Sequence, residues 1–529
     1  MDEDSRTAPF ATAADPVARA APPAQPLMRE IELKLAATPE VLRRLRKLPA
    51  LGSGAEGPWC SETLRAIYYD TAERTLAAEG IGFRVRRSGR RIVQTVKTAG
   101  EAGAASNRLE AEAPLLSEGP DARLIPDPEL RQQVLGLVAG GLVPVFETQI
   151  RRQKRVLARD GARIEVALDL GEIRNATAAE PVAEVELELL EGTPGVLFAL
   201  ARDLVAAEPT LEVALASKAE RGHALGSPHE RAAVKASPVA LPEGAGAGSA
   251  LAMVVRSCLA QVIANQPAVR AGLPDGVHQM RVALRRLRAA LAAARTLSTS
   301  AAAAAIEAEA RDLAQVLGAA RDWDVFTSQI LEPVQAAFPA EAGLIELGAR
   351  AATARAQAWG TLLRATEAPR LTLFVLDAAA WAEDLAASPL AEAMPAVELA
   401  RTVLRKRRKK ATALGSRLES LSIDERHDLR KELKKLRYGG EFFESLFSGK
   451  AAGGFRKALA GLQDTFGALN DAATAAHLLE TLVEGRATPE VARASGIVAG
   501  WHAHAATTAF ADAKKRWDRF ASTRPFWKA

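Results

Sequence analysis

From about residue 27 to residue 190, charged and apolar residues alternate with period two in one short segment after another. Met28–Leu35 reads MREIELKL, which puts Glu30, Glu32 and Lys34 on one face of a strand. Phe83–Arg87 does the same for Arg84 and Arg86. Arg108–Glu112 (RLEAE) and Glu184–Glu188 (EVELE) repeat the pattern. Strand side chains point alternately to opposite faces. Predicted strands are 28–35, 64–70, 80–87, 91–98, 107–114, 145–157, 162–170 and 182–190. Segments 39–48, 127–138 and 195–206 are predicted helices, and 217–223 a short terminal segment. The polar face carries acids and bases too densely for simple solvation. An eight-stranded antiparallel barrel with a charged lumen and an apolar outer surface accounts for it.

The periodicity then changes. Residues 1–26 are rich in Ala and Pro and are predicted to be a disordered tail; the barrel domain spans 27–225. Residues 226–248 hold Pro228, Pro238, Pro242 and a Gly-Ala run, and are predicted to be a linker. From about 249 to 525 the chain is Ala/Leu/Arg-rich with helical spacing. His278–Arg288 (HQMRVALRRLR) matches His427–Arg437 (HDLRKELKKLR) at an offset of 149. The same offset takes Leu313 to Leu462, Gly318 to Gly467 and Asp322 to Asp471. The expected fold is therefore multidomain: an α+β barrel domain, then an all-α domain with an internal two-fold repeat. The linker implies that a barrel ending near Gly226 works without the helices.

Composition narrows the chemistry. The chain has 529 residues, 48% hydrophobic and 25% charged, enough for sizeable cores. Cys60 and Cys258 form neither a disulfide framework nor a zinc signature. No apolar run is expected to span a membrane, and the acidic N-terminus lacks a secretory pattern. The cytoplasm is the expected compartment, polyphosphate granules included. The net charge of +5 is uneven: residues 245–529 carry 38 basic and 29 acidic side chains, so the helical part favours an anionic partner.

Lumenal carboxylates need cations, and lumenal Arg and Lys need anions. Together they suit a divalent metal with a chain of phosphates. In the helical repeat, His278, Arg281, Arg285 and Arg288 form one stripe, and His427, Arg430, Lys434 and Arg437 its copy. Two such stripes facing each other would make a cationic groove for a polyanion. Nucleic acid is disfavoured, because the basic helices lack interleaved aromatics for base stacking.

These residues carry a family resemblance. Glu30-x-Glu32-x-Lys34 resembles the E-x-E-x-K hallmark of the CYTH, or triphosphate tunnel metalloenzyme, superfamily. Tyr68–Thr71, Phe83–Arg86, Gln94–Lys97, Arg108–Glu112, Glu184–Glu188 and Ser217–Arg221 resemble its later motifs in order. The repeat resembles the CHAD domain, a helical module associated with polyphosphate, and the combination resembles bacterial CYTH–CHAD inorganic triphosphatases. The resemblance implies that Lys34, Arg84, Arg86, Lys97, Lys218 and Arg221 bind phosphate oxygens, with Arg152 or its neighbour Arg151. It implies that Glu30 and Glu32 hold Mg²⁺ or Mn²⁺. Glu110, Glu112, Asp169, Glu184 and Glu186 would hold a second metal or position water, and Glu188 shares the face of Glu184 and Glu186. The implied activity is hydrolysis of inorganic triphosphate, with long polyphosphate bound by the helices. Thiamine triphosphatase, class IV adenylate cyclase and a non-enzymatic polyphosphate-granule scaffold are the alternatives. His223 departs from the family pattern, and Arg321 becomes Asn470 in the second half of the repeat.

Overall fold

The computed structural model describes residues 28–528, apart from 101–102, 227–231, 448–449 and 485–487; side chains are described for the same residues except 28–29, 423, 450–451, 468–473, 505–509 and 511. The predicted tail lies outside the described residues.

Eight strands close into a barrel: β1 (Met28–Ala36), β2 (Cys60–Asp70), β3 (Gly82–Ser88), β4 (Arg91–Lys97), β5 (Ala105–Pro114), β6 (Val143–Arg159), β7 (Ala162–Arg174) and β8 (Ala179–Glu191). Every pairing is antiparallel, and closure comes from β1, which pairs with both β5 and β8. A short β9 (Glu212–Ala214), absent from the sequence reading, adds to the end of β1. Three residues are too few to show a period. The period-two faces divide as expected: Leu33, Leu35, Val166, Leu168, Val185 and Leu187 are buried in the outer packing layer, and the charged residues between them turn inward.

Helices α1 (Pro39–Leu45), α2 (Pro128–Leu137), α3 (Gly195–Ala207) and α4 (Lys218–Ala224) belong to the barrel domain. Thr38 and Asp127 cap α1 and α2 by accepting backbone N–H bonds. A capping box between Ser217 and Glu220 starts α4. Gly222 lets α4 lie against Phe146, since a Cβ there would meet that ring at 2.1 Å.

The second domain is all-α: α5 (Ala247–Ala264), α6 (Pro274–Ala294), α7 (Ala301–Val325), α8 (Ala342–Ala365), α9 (Arg370–Ala386), α10 (Ala396–Gly415), α11 (Ile423–Phe443), α12 (Lys450–Val483) and α13 (Pro489–Ser522), with shorter helices between. The 149-residue offset is exact in the backbone: α5, α6 and α7 begin at 247, 274 and 301, and α10, α11 and α12 at 396, 423 and 450. Ala247 donates to Met394 and Ala396 donates to Ala245, at 2.8 and 2.9 Å. That reciprocal pair joins the two halves at equivalent residues.

Two expectations are corrected. Ala247–Arg270 is long and apolar enough to cross a membrane, although here 67% of its apolar window is buried inside the protein. The domains are also not loosely tethered. One continuous apolar core runs from Leu197, Phe198 and Leu204 of α3 to Phe374 and Leu376 of α9 and on into α5 and α6. Thr372 donates to the Leu211 carbonyl at 3.1 Å, and Arg202–Asp377 and Arg270–Glu212 pair across the boundary. The described part of the linker is pinned too: Val234 donates to Asn265 and Leu241 to Ser445. A barrel cut at Gly226 would expose this face, so it is not expected to behave as the intact domain does.

Candidate active site and cationic groove

The barrel encloses a cavity of about 1190 Å³. Ten acidic and nine basic side chains line it. The lumen alone is thus close to neutral, and a triphosphate would enter best with accompanying cations.

Period two places these groups. On β1, Glu30 and Glu32 face inward with Lys34. Glu30 accepts from Lys97 on β4 at 2.8 Å and from Arg108 on β5 at 2.8 Å. Glu32 accepts from Arg108 at 2.7 Å and from Lys34 at 2.5 Å. Burial pushes the Glu30 carboxyl up, but Lys97 and Arg108 override it and hold it at about 2. Lys97 also reaches Glu110 at 3.1 Å. Arg84 lies 4.0 Å from Glu110 and donates to the Tyr68 hydroxyl. Arg86 and Thr95 both donate to Glu112.

A second group forms on β6, β7, β8 and α4. Asp169, Glu184 and Glu186 are buried and bring ligand oxygens within 4.8 Å of one another. The Lys218 ammonium sits among them, 2.7 Å from Asp169 and 2.8 Å from Glu186, and also pairs with Glu184. Arg152 donates to Asp169 at 2.8 Å and pairs with Glu186. Glu110 and Glu112 are therefore not joined to Asp169 in one cluster; they belong to the Lys97 and Arg86 side of the lumen.

Glu188 differs from the rest. It stands opposite Glu32 in one strand pairing and Glu165 in the other. Among the described residues no hydrogen bond or ion pair reaches its carboxylate. Burial, then Glu30 and Glu32, push it up to about 7. Lys97 nearby offsets this only in part. Hard carboxylate oxygens here and at the Asp169–Glu184–Glu186 triad fit a divalent metal ion.

Two sequence assignments move. Strand parity turns Arg152 into the lumen and Arg151 out to solvent. Arg221 does not line the cavity, and neither does buried Glu184; Glu180, Glu184 and the Pro181 carbonyl hold the Arg221 guanidinium. Its motif position was read without the helical geometry that aims it. Sequence reasoning gave no role to Arg108, Glu62, Lys154 or Glu165, all of which line the lumen. Arg108 shares parity with Glu110 and Glu112, so the signal was present. His223 fills its family-divergent position as an aromatic would, edge-on to Phe146 at 5.2 Å, with Phe146 stacked on Tyr68.

The helical stripes do face one another. A cavity of about 310 Å³ is lined by His278, Arg281 and Arg285 of α6, Arg321 and Asp322 of α7, and His427, Arg430 and Lys434 of α11. Val325 and Thr474, also equivalent at the 149 offset, line it as well. Arg281 pairs with Asp322 at 3.2 Å. Burial, then Arg321, Arg285 and Arg281, lower His278 to about 4. Arg288 and Arg437 lie off this cavity: Arg288 is beside Arg311 and Glu307, and Arg437 bonds Glu441 and Gln463. They continue the stripe one turn beyond the groove. The side chains of Asn470 and Asp471 lie outside the described residues.

A closed antiparallel tunnel lined with paired acids and bases, joined to a two-fold helical domain with a cationic groove, defines a tunnel-type protein with a helical partner domain. Family profiles described as CYTH domain and CHAD domain match residues 28–223 and 253–480. The chain belongs to the CYTH–CHAD family. It is 30% identical over 208 residues to the inorganic triphosphatase of Haemophilus influenzae, a match covering 38% of this chain and 56% of that protein. It is 30% identical over 405 residues to an uncharacterised Mycobacterium tuberculosis protein, covering 72% and 75%. The crystal structure of the CHAD domain from the plant Ricinus communis superposes with a TM-score of 0.50 at 28% identity, covering 55% of this chain and 98% of that one.

Proposed function

We propose that the tunnel hydrolyses a terminal phosphoanhydride of inorganic triphosphate, and that the helical groove binds long polyphosphate, in the cytoplasm. The observation that carries the reading is the buried Glu30–Glu32–Glu188 face ringed by Lys34, Lys97 and Arg108, on which Glu188, among the described residues, has no bonded cation. Phosphoryl transfer is mainly a matter of positioning and charge neutralisation. Lys34, Arg84, Arg86, Lys97, Arg108 and Arg152 supply fixed positive charge along the chain of phosphates. Glu30, Glu32 and Glu188 would hold one divalent ion, and Asp169, Glu184 and Glu186 a second once Lys218 yields its place. Ions held there would supply charge neutralisation of phosphate oxygens and activation of a water. Glu110 and Glu112 orient Lys97, Arg84 and Arg86 toward the substrate. The inorganic triphosphatase match supports the substrate class. The test is phosphate release from triphosphate by the full chain with and without Mg²⁺.

A further inference from the structure

One end of the tunnel is not built by the barrel alone. Ala260, on α5 of the helical domain, lines the same cavity as Glu30 and Lys218. Thr98, Gly100 and Gly103, between β4 and β5, and Leu215 after β9 line the same cavity. Gly103 lies against α5: a Cβ there would lie 3.4 Å from the Arg256 side chain. Arg256 is itself clamped to Glu383 of α9 by two bonds of 2.7 and 2.8 Å. The shared apolar core fixes α5 in this position.

We propose that the helical domain forms part of the tunnel wall, with position 260, a small neutral alanine, setting how readily a phosphate chain occupies that end. This rests on the triphosphate reading above only for the identity of the chain. A neutral, one-carbon side chain leaves the end open to an anion. A charge placed there acts on several phosphate charges at once across a low-dielectric wall. The Ala260 methyl has no donor or acceptor to offer the Glu30 group or the Asp169 triad, so a change there acts on occupancy rather than on chemistry.

The experiment installs the charge after folding. In a Cys60→Ser background, Ala260→Cys is modified in the full chain with a cationic or an anionic methanethiosulfonate; Cys258 is buried. The expected result is a KM for triphosphate raised about fivefold or more by the anionic adduct and lowered by the cationic one, with kcat within about twofold. Triphosphate with Mg²⁺ should also slow modification of the introduced thiol. Equal KM for both adducts, a thiol that reacts at the same rate with and without triphosphate, or a thiol that neither reagent reaches would overturn the inference. Absent turnover in the unmodified protein, together with protection of the thiol by triphosphate, would instead sink the hydrolysis reading and leave this one standing.

Discussion

The Lys218 ammonium stands 2.7 Å from the Asp169 carboxylate, at the centre of a buried acidic triad. A protein cation thus occupies the position that the triad's oxygens would offer to a metal. Lys218→Met leaves three buried carboxylates without that cation. It should cost roughly 3–5 kcal/mol in metal-free buffer. Millimolar Mg²⁺ or Mn²⁺ should restore more of the Tm in the variant than in the parent. Equal metal-induced shifts in both proteins would remove the triad as a metal site.

Glu30→Gln should reduce turnover about 10²-fold or more, through lost electrostatic stabilisation. It should also weaken the fold, because Glu30 balances both Lys97 and Arg108. With its carboxyl held at about 2 against an ordinary 4.5, the Glu30 contribution to stability is fully present above pH 4.5 and is lost as pH falls toward 2. Acid titration of Tm should therefore be shallower in the variant across that window.

Glu188 has the opposite sign. Its folded value of about 7 means that the native state holds a proton the unfolded chain has released. Its contribution to stability thus falls as pH rises from about 4.5 to 7. Glu188→Gln should raise the unfolding free energy at pH 8 without metal by on the order of 1–3 kcal/mol, read as a higher Tm, and should weaken Mg²⁺ binding. An unchanged Mg²⁺ affinity would separate Glu188 from the metal.

Much of this was legible in the sequence. Period two was enough to aim Glu30, Glu32, Lys34, Arg84, Arg86 and Lys97 into one lumen, because a strand has only two faces. The 149-residue offset foretold the facing stripes, since repeated helices pack in repeated ways. What failed depended on contacts between elements. Arg221 sits on a two-turn helix whose orientation is fixed by Gly222 against Phe146, and no local pattern encodes that. The parity of Arg151 and Arg152 was open because bases flank both faces of β6. The fused domain boundary was hidden for a similar reason: α3 reads as an ordinary amphipathic helix, and nothing in it names α9 as its partner.

In the groove, Arg285→Ala combined with Lys434→Ala should flatten the salt dependence of polyphosphate binding by about two counterions, with triphosphate turnover unchanged. His278 is neutral near pH 7, held at about 4 by burial and by Arg321, Arg285 and Arg281. A bound polyanion offsets those cations and raises it, so binding should take up protons and tighten as pH falls from 7 to 5. Calorimetry in buffers of different ionisation enthalpy reads this directly. An unchanged salt slope in the double variant, or equal affinity for duplex DNA and polyphosphate at matched ionic strength, would return these helices to generic anion binding.

The central claim is that the tunnel cleaves a linear triphosphate with a divalent metal. Phosphate release from the full chain, measured side by side on triphosphate, ATP, thiamine triphosphate and long polyphosphate with Mg²⁺ and then Mn²⁺, tests it most directly. The account predicts that triphosphate turns over fastest, that chelation abolishes the activity and that Glu30→Gln nearly does so. Metal-independent release, or a preference for ATP or thiamine triphosphate over triphosphate, would contradict it.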